Sequence, residues 1–205
     1  MSKDLYAHIT LDRTGSMARI WNEAVGGVNG FIKEQAKEDG TAYISLTVFD
    51  NVAVDRLVTG KNAQDIDPID ANEIFPRGMT NLLDAIGLSI EDADDWLASN
   101  KDFDGKILFV VNTDGHENAS KEFKLDAIRD LVKDKTDEGW EFVFMGAGID
   151  AFADSANLGF DPNKSLSYAA TGRGTAQAAA SLSMSTRSMR GSSDGTFKWE
   201  DSSKK

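Results

Sequence analysis

Apolar residues recur along this chain with two different periods, and the changes between them mark out its elements. The short run Leu5-Tyr6-Ala7-His8-Ile9 has room for one buried strand. Ile20, Trp21, Ala24, Val28, Phe31 and Ile32 then follow a helical spacing, with Lys37 near the helix end and Gly40 as its stop. Residues 42–49 are rich in β-branched and aromatic side chains, Asp50-Asn51 suits a tight turn, and residues 52–58 alternate before Gly60. Together these predict a hairpin that adds one antiparallel strand. The polar stretch 61–73, with Pro68, reads as loop. Leu82, Leu83, Ile86, Ile90, Ala93 and Leu97 predict a second helix, with Thr80 at the N-cap position. Residues 106–112 are almost uninterruptedly apolar, as a central parallel strand covered on both faces should be. A third helix is predicted from about Ser120 to Gly139, a strand over 140–145, a short helix over 151–158 and a last strand over 165–168. Alanines among serines predict a helix within 175–189, and residues 191–205 read as a flexible tail.

This order predicts an α/β fold: a doubly wound, mostly parallel sheet with one antiparallel edge strand from the hairpin and helices on both faces, Rossmann-like in plan. Residues 1–170 are expected to form the main domain, 171–190 a C-terminal helix belonging to it or packed on it, and 191–205 the tail. At 205 residues, 40% of them hydrophobic, there is enough chain to bury one substantial core. No apolar run is long enough to span a bilayer, and a first strand near residue 5 leaves no room for a secretory signal. The expected location is therefore cytoplasmic. The chain has no cysteine, so disulfides, thiolate metal sites and cysteine nucleophiles are excluded.

The net charge of −12 is unevenly spread. From Thr171 onward six basic residues face three acidic ones, so residues 1–170 carry −15. Such a body repels phosphate backbones, which excludes nucleic acid as an expected partner.

Chemistry concentrates at predicted strand ends. Asp12, Thr14 and Ser16 follow the first strand on the loop that enters the first helix, and Asp114 follows the central strand in Thr113-Asp114-Gly115. Thr80 sits at a helix start. In open parallel sheets ligands bind at the carboxyl edge, where these points would gather. All five side chains offer oxygen, the donor of hard cations. Two carboxylates balance a divalent charge while hydroxyls add ligands without charge. So sparse a set leaves positions for water or an incoming group, which suits Mg²⁺.

On these residues the chain resembles the von Willebrand factor A (VWA) domain, whose metal-ion-dependent adhesion site combines Asp-x-Ser-x-Ser with a later Thr and Asp. Asp12-Arg13-Thr14-Gly15-Ser16 matches the first part, with Thr14 for the usual Ser; Gly78-Met79-Thr80-Asn81 is similar to Gly-Gly-Thr-Asn, with Met79 for Gly; Thr113-Asp114-Gly115 is similar to Thr-Asp-Gly. The resemblance extends over residues 5–160. It implies Thr14, Ser16 and Thr80 as direct or near-direct ligands of Mg²⁺ or Mn²⁺, and Asp12 and Asp114 as ligands directly or through water. It also implies a binding module rather than an enzyme, taking a Glu or Asp of a partner protein at the open metal position. The run 144–150 with Leu158-Gly159 is similar to compact bacterial and phage versions of the domain.

The competing class is a Mg²⁺-dependent aspartyl phosphotransferase or phosphatase. Such enzymes need a second acid two residues after the nucleophile, where this chain has Thr14, and a basic residue near the phosphate. No P-loop occurs, and two well-separated histidines do not make a triad. Arg13, Arg77, His116 and Glu117 are expected on the rim as solvated loop residues, His8 packed inside its strand, and Asp92, Asp94 and Asp95 on a solvated helix face.

Overall fold

The computed structural model describes residues 3–200. Its six strands are β1 (Leu5–Asp12), β2 (Ala42–Phe49), β3 (Val54–Asn62), β4 (Lys106–Thr113), β5 (Glu141–Ala147) and β6 (Ser165–Tyr168). They form one sheet in the order β3-β2-β1-β4-β5-β6. Only the β2–β3 pair is antiparallel; β1–β2, β1–β4, β4–β5 and β5–β6 are parallel. The helices are α1 (Trp21–Gln35), α2 (Leu82–Ser99), α3 (Leu125–Asp137), α4 (Ala151–Asn157) and α5 (Gly172–Gly191). This is the expected doubly wound α/β architecture with an antiparallel edge.

All eight residues of β1 are buried, as a strand covered on both faces requires. Leu5, Ala7, Ile9 and Leu11 join the core on the face of α1 and α5, whereas Tyr6 joins the core built with α2, α3 and α4. The Tyr6 face also carries His8, Thr10 and Asp12; Tyr6 and His8 pair with hydroxyls of β2, whereas the buried Thr10 Oγ1 makes no hydrogen bond. His8 Nε2 lies 2.9 Å from Thr47 Oγ1, and Tyr6 Oη 2.9 Å from Ser45 Oγ. His8 is thus packed and hydrogen-bonded, as expected. β1 and β4 are neighbours, and the chain runs from β1 to β2 on one side and from β4 to β5 on the other. A crevice therefore opens beyond the β1 and β4 carboxyl ends, with Leu11 opposite Asn112.

Three local expectations are corrected. The first helix is entered through a 3₁₀ turn, Gly15–Ile20, so α1 proper starts at Trp21. The third helix starts at Leu125 rather than near Ser120, because the amides of Lys121, Glu122 and Phe123 donate to the carboxylate of Asp84 on α2. Residues 192–200 are not a flexible tail. Phe197 is 1% exposed and packs edge-on to Trp199, its amide donates to Glu141 Oε2 at 3.1 Å, and Glu200 N donates to Ser185 Oγ at 2.8 Å. Two aromatic rings in nine residues supply the apolar area that a run of serine and glycine lacks. Residues 201–205, the rest of the expected tail, lie outside the described residues.

Candidate metal centre

Three loops meet at the crevice: 12–16 after β1, 76–81 before α2, and 113–118 after β4. Their backbones hold one another. Arg77 N donates to Arg13 O at 2.9 Å and Gly15 N to Gly78 O at 3.3 Å, joining the first two. Asn118 N donates to Thr80 O and Thr80 N to Asn118 Oδ1, both at 3.0 Å, joining the second and third. Gly78 has φ +70°, and an added Cβ would lie 2.1 Å from Asn51 Oδ1, so this crossing requires glycine.

The structure brings four of the five predicted side chains into one chain of contacts. Asp12 Oδ1 accepts from Thr14 N at 2.7 Å and Oδ2 from Thr113 Oγ1 at 2.6 Å. The Thr14 and Ser16 hydroxyls lie 3.2 Å apart, and Ser16 Oγ donates to Asp114 Oδ1 at 2.6 Å. The fifth, Thr80, makes no contact with these four; its hydroxyl lies close to Gly115, the neighbour of Asp114, where an added Cβ would be 3.0 Å from Thr80 Oγ1. Thr80 is not an N-cap. The residue before α2 is Asn81, which makes no side-chain cap bond, and the α2 amide of Leu83 is taken by Glu117 Oε2 at 2.9 Å.

Electrostatically, one exposed arginine, Arg19, stands beside the two carboxylates. Burial, reinforced by Asp114, pushes the Asp12 carboxyl up to about 6 against the hydrogen bonds from Thr113 and Thr14. Burial also raises Asp114, against Ser16 and Arg19. Asp114 Oδ2 is buried with no hydrogen-bond donor, its nearest cation being Arg19 Nη2 at 3.7 Å. A buried carboxylate oxygen without a hydrogen-bond donor is costly, and a cation bound directly at that point would reduce the penalty. Two carboxylates and three hydroxyls are a donor set for a hard divalent ion. Among the described residues no group of three or more His, Asp or Glu side chains is placed to hold a metal, so the candidate rests on hydroxyls as much as on acids.

The rim differs from its expected form. Arg13 is buried, not solvated: its guanidinium reaches Asp50 (Nε 3.1 Å, Nη2 2.9 Å) and Asp55 (Nη2 2.8 Å). Arg77 Nε donates to the same Asp50 oxygen at 2.8 Å. Asp50 is fully buried, and its other oxygen accepts from Val52 N and Ala53 N. Burial opposes its ionisation, but Arg77, these amides and Arg13 hold its carboxyl below the usual range. One carboxylate in the β2–β3 turn thus ties down two of the three loops. Glu117 also accepts from Ala119 N, Ser120 N and Ser120 Oγ, closing the third loop on itself. His116 is exposed and lies 3.2 Å from Asp154. Sequence reasoning missed Asp50 and Asp84. The available signals were two arginines, Arg13 and Arg77, beside the predicted ligands, and a lone aspartate interrupting the apolar start of α2.

Comparison with known proteins bears on the fold. No family model matches the chain, and no curated protein does. Solved structures do: the SpRpn10 VWA domain aligns with TM-score 0.65 at 12% identity, covering 86% of this chain and 94% of that one. The fold is that of a VWA domain. Manganese-loaded TRAP protein of Plasmodium vivax matches this VWA-fold chain with TM-score 0.59 at 15% identity, over 82% of this chain and 69% of that one. Proximal thread matrix protein 1 from the mussel byssus matches with TM-score 0.65 at 14% identity, over 91% of this chain; the present chain spans about half of its length, 47%. At these identities the likeness is one of fold.

Proposed function

We propose that this VWA-fold chain is a metal-dependent protein-binding module, not an enzyme. Asp12, Thr14, Ser16, Thr80 and Asp114 would hold Mg²⁺ or Mn²⁺, and the ion would supply a Lewis-acidic position for the carboxylate of a partner's Glu or Asp. The observation that carries this reading is the buried, donorless Oδ2 of Asp114 beside a second carboxylate and converging hydroxyls. The chain's own groups do the positioning. Thr113 and the Thr14 amide fix both oxygens of Asp12, Ser16 orients Asp114, and the Asn118 pair sets Thr80. The manganese carried by the TRAP neighbour supports the choice of ion. An aspartyl nucleophile is disfavoured because the position two residues after Asp12, where such enzymes need a second acid, is Thr14.

Thermal unfolding in Mg²⁺ or Mn²⁺ against EDTA tests this. An ion binding only the native state stabilises it by about 2.7 kcal/mol at a hundredfold excess over Kd. The wild type should be stabilised and Asp12→Ala should not. An unmoved melting temperature, or an equal shift in Asp12→Ala, refutes the reading.

A further inference from the structure

Among the described residues five large hydrophobic side chains are exposed: Val52 (69%), Phe75 (62%), Met79 (54%), Phe152 (51%) and Leu125 (36%). Their positions are not scattered. Val52 follows β2, Phe75 and Met79 lie on the loop delivering Thr80, Leu125 opens α3 after β4, and Phe152 lies at the start of α4 after β5. Every one therefore sits at the carboxyl edge of the parallel strands, the edge of the candidate metal centre. Asn51 N donates to Met79 O and Met79 N to Asn51 Oδ1, so Val52 and Met79 are on neighbouring turns. Beside Gly115 a depression of about 260 Å³ has a wall of Leu82, Leu83, Leu125 and Leu158 and a polar side with His116, Glu117 and Asp154. Gly115 is also the residue that Thr80 Oγ1 faces, so this hollow adjoins the predicted ligands directly.

Resting on the metal-mediated reading above, we infer that the partner is a protein segment whose acidic residue is flanked by bulky apolar side chains. The carboxylate goes to the ion, one apolar neighbour fills the leucine-walled hollow beside Gly115, and another lies on Met79 and Val52. An isolated carboxylate would need neither apolar flank, and exposed apolar area concentrated at one edge marks an interaction surface. In an extended segment alternate side chains on one side are roughly 7 Å apart, which allows an acid and an apolar residue to engage adjoining sites together. Arg19, exposed beside Asp114 in an otherwise acidic molecule, adds attraction for an acidic segment.

The test uses short fluorescent peptides with a central Glu, its flanks all leucine or all serine, and matching Gln peptides, read by anisotropy in Mg²⁺ and in EDTA. The leucine-flanked Glu peptide should bind about tenfold or more tighter than the serine-flanked one, the worth of a buried leucine. Leu125→Ser or Met79→Ser, both exposed positions, should narrow that ratio while leaving Mn²⁺ binding by electron paramagnetic resonance unchanged. Equal binding of the two Glu peptides, an unchanged ratio in both variants, or no binding of any peptide overturns the inference but leaves the metal intact. Wild-type protein that binds no Mn²⁺, or Glu and Gln peptides bound alike in Mg²⁺ and EDTA, sinks the underlying metal reading instead. Self-association in Mg²⁺ abolished by Leu125→Ser, seen by light scattering, assigns the face to a second copy and also overturns it.

Discussion

Asp50 offers the sharpest test of how the crevice is held, and the perturbation is Asp50→Ala. The change removes the acceptor of Arg13 Nε and Nη2 and of Arg77 Nε, and it frees the amides of Val52 and Ala53. The Arg13 side chain is 6% exposed, so its charge cannot turn to water, whereas that of Arg77 is 42% exposed and can. Removing one partner of a buried ion pair costs about 3–5 kcal/mol. Asp55 still reaches Arg13 at 2.8 Å and offsets part of the loss, while two amides lose acceptors at about 1 kcal/mol each. The expected destabilisation is therefore about 3–5 kcal/mol, against about 1 kcal/mol or less for Arg77→Ala. Urea unfolding by linear extrapolation measures both, with the midpoint moving and the slope unchanged. A loss below about 1 kcal/mol in Asp50→Ala, or equal losses in the two variants, would refute the assignment of Asp50 as the anchor. Replacing Arg13 as well, in a double-mutant cycle, should recover much of the loss.

Phe197→Ala should cost about 3–5 kcal/mol, because it empties a fully buried ring position; a change within about 0.5 kcal/mol would return residues 192–200 to the status of a tail. His8 is lowered to about 4 by burial, below its unfolded value near 6.5, so the fold favours its neutral form. Its contribution is complete above about pH 6.5 and is lost as pH falls toward 4, amounting to about 3 kcal/mol. The difference in unfolding free energy between wild type and His8→Gln should shrink over that window; parallel pH curves would show that His8 does not titrate as described.

The layers of the fold were legible because burial writes itself into composition. The run ending in Phe109, Val110 and Val111 belongs to a strand covered on both faces, and the hairpin of β2 and β3 follows from alternation around Asp50-Asn51. The gathering of Asp12, Thr14, Ser16 and Asp114 was legible for a related reason: acids and alcohols that follow parallel strands meet at one edge of the sheet. What stayed hidden depends on partners distant in the chain. Arg13 looks like any loop arginine until Asp50 and Asp55 are folded beside it, 37 and 42 residues away. The start of α3 was misplaced because the preceding amides are satisfied by Asp84, from another helix. The segment holding Phe197 has too few apolar residues for a periodicity, and its placement is decided by the space left beneath α5.

Arg190, at the close of α5, donates to the carbonyls of Lys3, Gln35 and Asp39, and Lys106 reaches the carbonyls of Met189, Arg190 and Ser192. The start of the described chain and the end of α5 are thereby fastened at the amino ends of the strands, the edge opposite the one that carries Asp12 and Asp114. A copy tethered to a bead or a carrier close to Lys3 would point the candidate metal rim away from the support, so immobilised protein should present that rim unobstructed.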